Sequence, residues 1–221
     1  MGVSYSGNGP TTRTVKNQVS ENSDLATRFE LFMVKDFFDA QTCEEIITEI
    51  RSAWGGPATV YSQGASSPVN EKLRKTTRRM LSPSTTASVR QQLLEQKERV
   101  ERHFQISLSD CEEPQFLFYK EGDFFVPHQD GNSEQLEFDH LRVRRISVVI
   151  FLSRQSSEPG PNTYCGGSLV FFEPGVDTNR KELGYHLTGE TGLLVAFRSE
   201  TTHEVHLVTH GERYSIVCWY K

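Results

Sequence analysis

The sequence predicts an α+β domain in which packing helices come first and a β barrel or two-sheet jelly roll follows. Three observations lead there. Apolar residues recur at helical spacing between residues 40 and 104. From Gln115 onward the period changes to two, and β-branched and aromatic residues take over. Turn signals then cut the second half into about eight short strands, and helices followed by a run of strands is the α+β pattern.

Taken in order, residues 1–27 are polar, rich in Ser, Thr, Asn and Gly, and read as a flexible tail. The opening Met1-Gly2 with Ser6 fits the N-myristoylation pattern, but so short a motif arises by chance and carries no assignment. One domain spans 28–221, with a helical part over 28–114 and the jelly-roll core over 115–221. Phe29 to Phe38 starts like a strand and runs into a helix. Thr42 and Glu45 have capping-box spacing, Ile46, Ile47 and Ile50 supply its apolar face, and Gly55-Gly56 ends it. Residues 55–85 read as a long loop with short strands. It carries the basic cluster Lys72, Arg74, Lys75, Arg78 and Arg79, and a loop of this length in a compact domain is often functional. Over 86–104, Val89, Leu93, Val100 and Phe104 share one helical stripe. Strands are expected at 115–120, 124–130, 143–153, 167–173, 184–188, 192–198, 203–208 and 212–220, separated by Gly and Pro turn signals.

Composition narrows the function. The chain has 24 basic and 29 acidic residues, a net charge of −5. It therefore lacks the basic balance of a nucleic-acid binder. Its longest apolar run is Val148–Leu152, far short of the roughly 20 residues that span a bilayer. No apolar segment follows the N-terminus, so no secretory signal is read. Four widely spaced cysteines form neither a disulfide framework nor a zinc ribbon. They read as reduced structural thiols, and the expected location is cytoplasmic.

The chemistry concentrates in the strands. His128 and Asp130 lie two apart, on one face of a strand. His203 offers a third ligand. Two histidines and a carboxylate can hold one face of an octahedral iron and leave three positions open. A closed zinc site would call for a fourth ligand, usually cysteine. His206 and His210 are rival third ligands, but His206 is on the opposite strand face and His210 lies in a turn. Ten residues after His203, alternation sends Arg213, Ser215, Val217 and Trp219 to one face. An arginine turned into a barrel needs an anion because it cannot lose its charge. Its fork of donors suits a carboxylate, to which Ser215 can add a hydroxyl.

These motifs resemble a known family. The run Tyr119, Gly122, His128-Gln129-Asp130 is similar to the Tyr-x-x-Gly…His-x-Asp segment of prolyl 4-hydroxylase-like oxygenases. Arg144 to Leu152 resembles their next long strand, Cys165-Gly166-Gly167 their Gly-Gly strand, and His203 with Arg213 their closing segment. The helix from Cys43 resembles their N-terminal helix. The resemblance implies an Fe(II)- and 2-oxoglutarate-dependent dioxygenase on a double-stranded β-helix, a jelly-roll, cupin-like core. His128, Asp130 and His203 would hold the metal. Arg213 would pair with the distal carboxylate of 2-oxoglutarate, with Tyr119 as a further donor. Oxygen would be the other co-substrate and ascorbate the reductant. The implied reaction is hydroxylation of an unactivated C–H, with succinate and carbon dioxide released. The implied substrate is a prolyl residue of a protein or peptide. Hydroxylation of a free amino acid or small metabolite is the alternative, and a non-catalytic 2-oxoglutarate or oxygen sensor is a reading from another class.

The chain also departs from the family. Phe151 stands where some members have a tyrosine touching 2-oxoglutarate, and Trp219 where nucleic-acid demethylating relatives carry a second arginine. Both are expected as pocket walls. Asp130, a true carboxylate, speaks against halogenase chemistry. Residues 131–143 form a polar insertion that can shape the entrance. The basic stretch from Lys72 to Arg79 lies where related enzymes have a mobile loop over the active site. Of Arg144 and Arg145, alternation lets only one face inward.

Overall fold

A computed structural model describes residues 25–58, 70–132 and 139–221. Residues 1–24 of the expected tail and parts of the 55–85 and 131–143 segments lie outside the described residues. The tail boundary itself moves: Leu25 is buried and packs with Phe29 and Leu31 into the core.

Two helices precede the main strands. Helix α1 is Ala40–Ser52. It is capped by Asp39, whose carboxylate accepts from the Thr42 N–H at 2.7 Å, so the expected box at Thr42 and Glu45 lies inside the helix rather than at its start. Helix α2 is Pro83–Phe104, three residues longer than the apolar period marks. Ser82 caps it and Pro83 sits in its first turn. The polar run Ser84-Thr85-Thr86 carries no hydrophobic period, so only the cap could reveal that turn.

The strands form two antiparallel sheets. The larger contains β1 (Phe32–Val34), β2 (Gly55–Pro57), β4 (Thr77–Arg79), β5 (Gln115–Tyr119), β7 (Ile146–Phe151), β12 (Leu194–Arg198) and β15 (Arg213–Tyr220), in the order β1-β12-β7-β15-β5-β4-β2. The smaller contains β3 (Arg74–Lys75), β6 (Phe124–His128), β10 (Leu169–Phe171), β11 (Tyr185–Leu187) and β13 (His203–Val205), in the order β11-β10-β13-β6-β3. Face to face they form the double-stranded β-helix expected from the sequence. A small third sheet was not expected. It joins β8 (Arg154–Gln155), β9 (Thr163–Gly166) and β14 (Val208–His210). The turn-rich run Pro159–Asn162 hides its strands from a period-two reading.

Alternation in the central strands divides the core. On β15, Tyr214, Ile216, Cys218 and Tyr220 face the helices and join Ile46, Ile47, Ile50, Leu93 and Phe104 in one cluster. On β7, Ile146, Val148 and Ile150 do the same, while Val149 and Phe151 face the smaller sheet and pack with Leu169, Phe171 and Phe197. Strand β7 is thus buried on both faces, which is why it reads as a continuous apolar run. Leu93, on the inner face of α2, is fully buried. Leu93→Ala is expected to cost about 2–5 kcal/mol, seen as a lower urea midpoint with an unchanged slope. No helix among the described residues is long and apolar enough to cross a membrane.

Candidate metal centre and anion pocket

Strands β6 and β13 pair so that His203 lies directly opposite His128. Each imidazole is anchored the same way. His128 Nδ1 is 2.8 Å from the Val126 carbonyl and His203 Nδ1 is 2.9 Å from that of Thr201. A carbonyl only accepts, so Nδ1 carries the proton and Nε2 presents its lone pair. Aromatic neighbours fix the rings. Phe125 stacks on His128 with centroids 3.5 Å apart, and Phe197 meets His203 edge-on at 4.7 Å.

Asp130 does not continue strand β6. Its N–H and that of Gly131 both turn onto the Ser199 carbonyl, so the strand ends at His128, two residues before the expected end. The turn still delivers the carboxylate: Oδ1 is 3.5 Å from His128 Nε2 and Oδ2 is 3.5 Å from His203 Nε2. One ligand atom from each residue falls within 4.8 Å of the others. Burial alone would raise the Asp130 carboxyl, but the His203 imidazole, then His128 and the Trp219 indole, hold it well below the usual carboxylate range. Burial, reinforced by His128, pushes His203 down to about 4. The centre therefore offers two imidazole nitrogens and one anionic oxygen. This donor set fits a divalent transition metal and leaves coordination positions open. His206 lies beside His186 instead, and His210 is exposed on β14, so neither joins the cluster.

Of the supporting residues, Ser147 and Ser199 were not singled out in the sequence, whereas the Arg144/Arg145 pair and Trp219 were. Ser147 Oγ donates to Asp130 Oδ2 at 2.8 Å and lies 3.0 Å from Ser199 Oγ. A serine on the inward face of an otherwise apolar strand was the signal for it. Arg144 is the buried member of its arginine pair. It grips Glu112 through two bonds of 2.9 and 2.7 Å, and its guanidinium lies 3.6 Å from the Trp219 ring centroid. This fixes the indole beside Asp130. Ser147→Ala is expected to weaken metal affinity about 10-fold, the low end for groups that orient a ligand, measured by competition with a chromophoric chelator.

The four β15 residues expected to share a face all line the pocket next to the triad, with Tyr119, Val149 and Leu169. Arg213 is only 1% exposed. Its Nε donates to the Gly167 carbonyl at 3.0 Å and its Nη1 to Ser215 Oγ at 2.8 Å. No carboxylate among the described residues pairs with it. Tyr119 is its cross-strand neighbour, with the guanidinium 5.0 Å from the ring centroid. Phe151 is set back from the lining, with Arg213 5.2 Å from its ring centroid. A buried cation without a counter-ion fits an anionic ligand entering from the pocket. Gly167, at φ +60°, lets the arginine pass, since a Cβ there would stand 3.1 Å from Arg213 Cδ.

At the mouth, β3 pairs with β6, and Arg74 lies 4.6 Å from the Phe125 ring centroid, lining the pocket. Arg78 is on the other sheet, within 3.9 Å of Glu113. The basic stretch is therefore split between two sheets, with Arg74 alone of the two at the entrance.

A jelly roll that places two histidines and a carboxylate beside a buried arginine defines the mononuclear non-haem iron oxygenase class. Residues 114–221, the jelly-roll part of the chain, match the 2OG-Fe(II) oxygenase superfamily. Its fold is that of several solved structures. A Pseudomonas putida prolyl-4-hydroxylase is 21% identical with a TM-score of 0.63, over 92% of this chain and 98% of that one. A Trichoplax adhaerens prolyl hydroxylase, solved with a hypoxia inducible factor peptide fragment, is 15% identical with a TM-score of 0.65, over 96% and 93%. A viral collagen prolyl hydroxylase from Paramecium bursaria Chlorella virus-1 is 16% identical with a TM-score of 0.55, over 86% and 94%. No curated protein gives a significant sequence match.

Proposed function

We propose that this oxygenase hydroxylates an unactivated C–H of a prolyl residue in a protein or peptide. Iron and 2-oxoglutarate, when bound, supply the oxidation: one atom of dioxygen enters the C–H bond, the other enters succinate, and carbon dioxide leaves. The chain's residues do the rest. His128 and His203 present Nε2 to the metal, and Asp130 adds the one negative charge. Ser147 holds Oδ2 at its bonding angle. Arg213 neutralises the distal carboxylate of 2-oxoglutarate, with Tyr119 and Ser215 as hydroxyl partners. Val149, Leu169, Val217 and Trp219 keep the pocket apolar and exclude water.

The observation that carries this reading is one pocket with a three-residue His/Asp cluster and a buried arginine that lacks a carboxylate partner among the described residues. The prolyl assignment draws support from the prolyl hydroxylases of like fold, one of them solved with a peptide. Four free, buried cysteines suit a reducing compartment, and we place the protein in the cytoplasm.

The test has two stages. First, metal-free protein is titrated without oxygen with Fe(II) and 2-oxoglutarate while the visible absorption of the chelate is followed. The band is expected in the wild type. Second, the loaded enzyme receives oxygen, ascorbate and a proline-containing peptide library or free amino acids. A peptide gaining the mass of one oxygen at proline, with succinate in equal amount, is expected. A product only from free amino acids would overturn the peptide assignment, and succinate without any hydroxylated product would favour a sensor.

A further inference from the structure

We propose that Tyr164 supplies a hydroxyl donor to the distal carboxylate of 2-oxoglutarate, beside Arg213. The proposal rests on the 2-oxoglutarate reading above and deepens it. Tyr164 lies on β9, in the small sheet outside the two main layers. It is fully buried, and its hydroxyl has no hydrogen-bond partner among the described residues. A buried hydroxyl without a partner is rare, and each needs an explanation.

Its position supplies one. The Tyr164 ring and the Arg213 stem pass side by side across Gly167: a Cβ there would lie 3.1 Å from both Tyr164 Cε2 and Arg213 Cδ. The hydroxyl reaches the corner beside Phe151 and Gly189, where a Gly189 Cβ would stand 2.2 Å from Tyr164 Oη and 2.7 Å from Phe151 Cδ1. That corner borders the guanidinium, which lies 5.2 Å from the Phe151 ring centroid. Gly189 is held by a hydrogen bond from its N–H to Gln155 Oε1 at 3.0 Å, which keeps the space for the phenol open. Arg213 spends Nε on Gly167 and Nη1 on Ser215, leaving donors of its five for an anion. Burial raises the Tyr164 phenol, and the Arg213 guanidinium, through its charge and its nearness to the phenol oxygen, only partly offsets this, so the hydroxyl keeps its proton and is able to donate. Phe151 has no hydroxyl to offer. Tyr164 fills that role from a strand outside the main sheets.

The experiment uses full-length protein loaded with Mn(II) under nitrogen, so that binding is read without turnover. Dissociation constants for 2-oxoglutarate and for 2-oxobutyrate, which keeps the chelating end but lacks the distal carboxylate, are measured for wild type and Tyr164→Phe. Tyr164→Phe is expected to weaken 2-oxoglutarate about 10-fold or more, as loss of a hydrogen bond to a charged group does, with Mn(II) and 2-oxobutyrate affinities unchanged. Gly189→Ala pushes a methyl onto the hydroxyl and is expected to discriminate between the two ligands in the same direction. Unchanged 2-oxoglutarate affinity in Tyr164→Phe, or equal weakening of both ligands, overturns the role of Tyr164. Failure of Mn(II)-loaded wild type to bind 2-oxoglutarate at all overturns the underlying reading instead.

Discussion

Asp130→Ala is expected to lower Fe(II) affinity more than about 100-fold, beyond the roughly 10–100-fold typical of groups that only orient a ligand, and to remove hydroxylation below detection. Asp130 is the sole anion of the cluster. Its two oxygens each stand 3.5 Å from one histidine Nε2, so it faces both remaining ligands. Without it, two neutral imidazoles must hold a dication with no compensating charge. Asp130→Asn separates charge from shape. An asparagine can still accept from Ser147 through its carbonyl, but it brings no negative charge, so its metal affinity should fall between those of wild type and alanine. Equilibrium dialysis against Fe(II) without oxygen measures the affinity. Wild-type metal binding in both variants would place the metal elsewhere and sink the assignment of the triad.

The faces that line the candidate site were legible because strand alternation is a strict rule. Arg213, Ser215, Val217 and Trp219 could be put on one inward face from their spacing, and that is where they lie. His128 and His203 are far apart in sequence, and what joins them is sheet register, which no local pattern encodes. The likeness to a family supplied that link. Asp130 joins the two histidines by a different route from the one expected. The strand breaks at His128, and a turn held by the Ser199 carbonyl carries the carboxylate inward. Ser147 and Tyr164 were not singled out. Their roles depend on which side chains meet across strands: the lone serine in the apolar run of β7 was a hint for the first, and Tyr164, just after a turn-rich run, gave none. The helix starts failed for a simpler reason. Asp39 and Ser82 cap before the first apolar residue of each helix, so hydrophobic period begins counting too late.

Arg213→Met is expected to move stability and ligand binding in opposite directions. In the metal-free protein the guanidinium is buried at 1% exposure without a carboxylate partner among the described residues. Replacing a buried charge by an apolar side chain of similar length is often neutral or stabilising by about 1–4 kcal/mol. The melting temperature of the ligand-free variant should therefore hold or rise. Against this, the Gly167 carbonyl and Ser215 hydroxyl each lose the hydrogen bond that Arg213 donates, which limits the gain. Affinity for 2-oxoglutarate should fall at least about 100-fold, because a desolvated dicarboxylate loses its counter-charge. Metal affinity should stay near wild type, since the hydrogen bonds of Arg213 among the described residues go to Gly167 and Ser215 and not to the triad. Arg213→Lys keeps the charge but not the fork. It cannot donate to Gly167, Ser215 and a carboxylate with the same planar geometry, so it should recover only part of the lost affinity. If Arg213→Met instead unfolded the metal-free protein and left 2-oxoglutarate affinity intact, the arginine would be a structural brace between β15 and the Gly167 turn, and the anion would have to bind elsewhere.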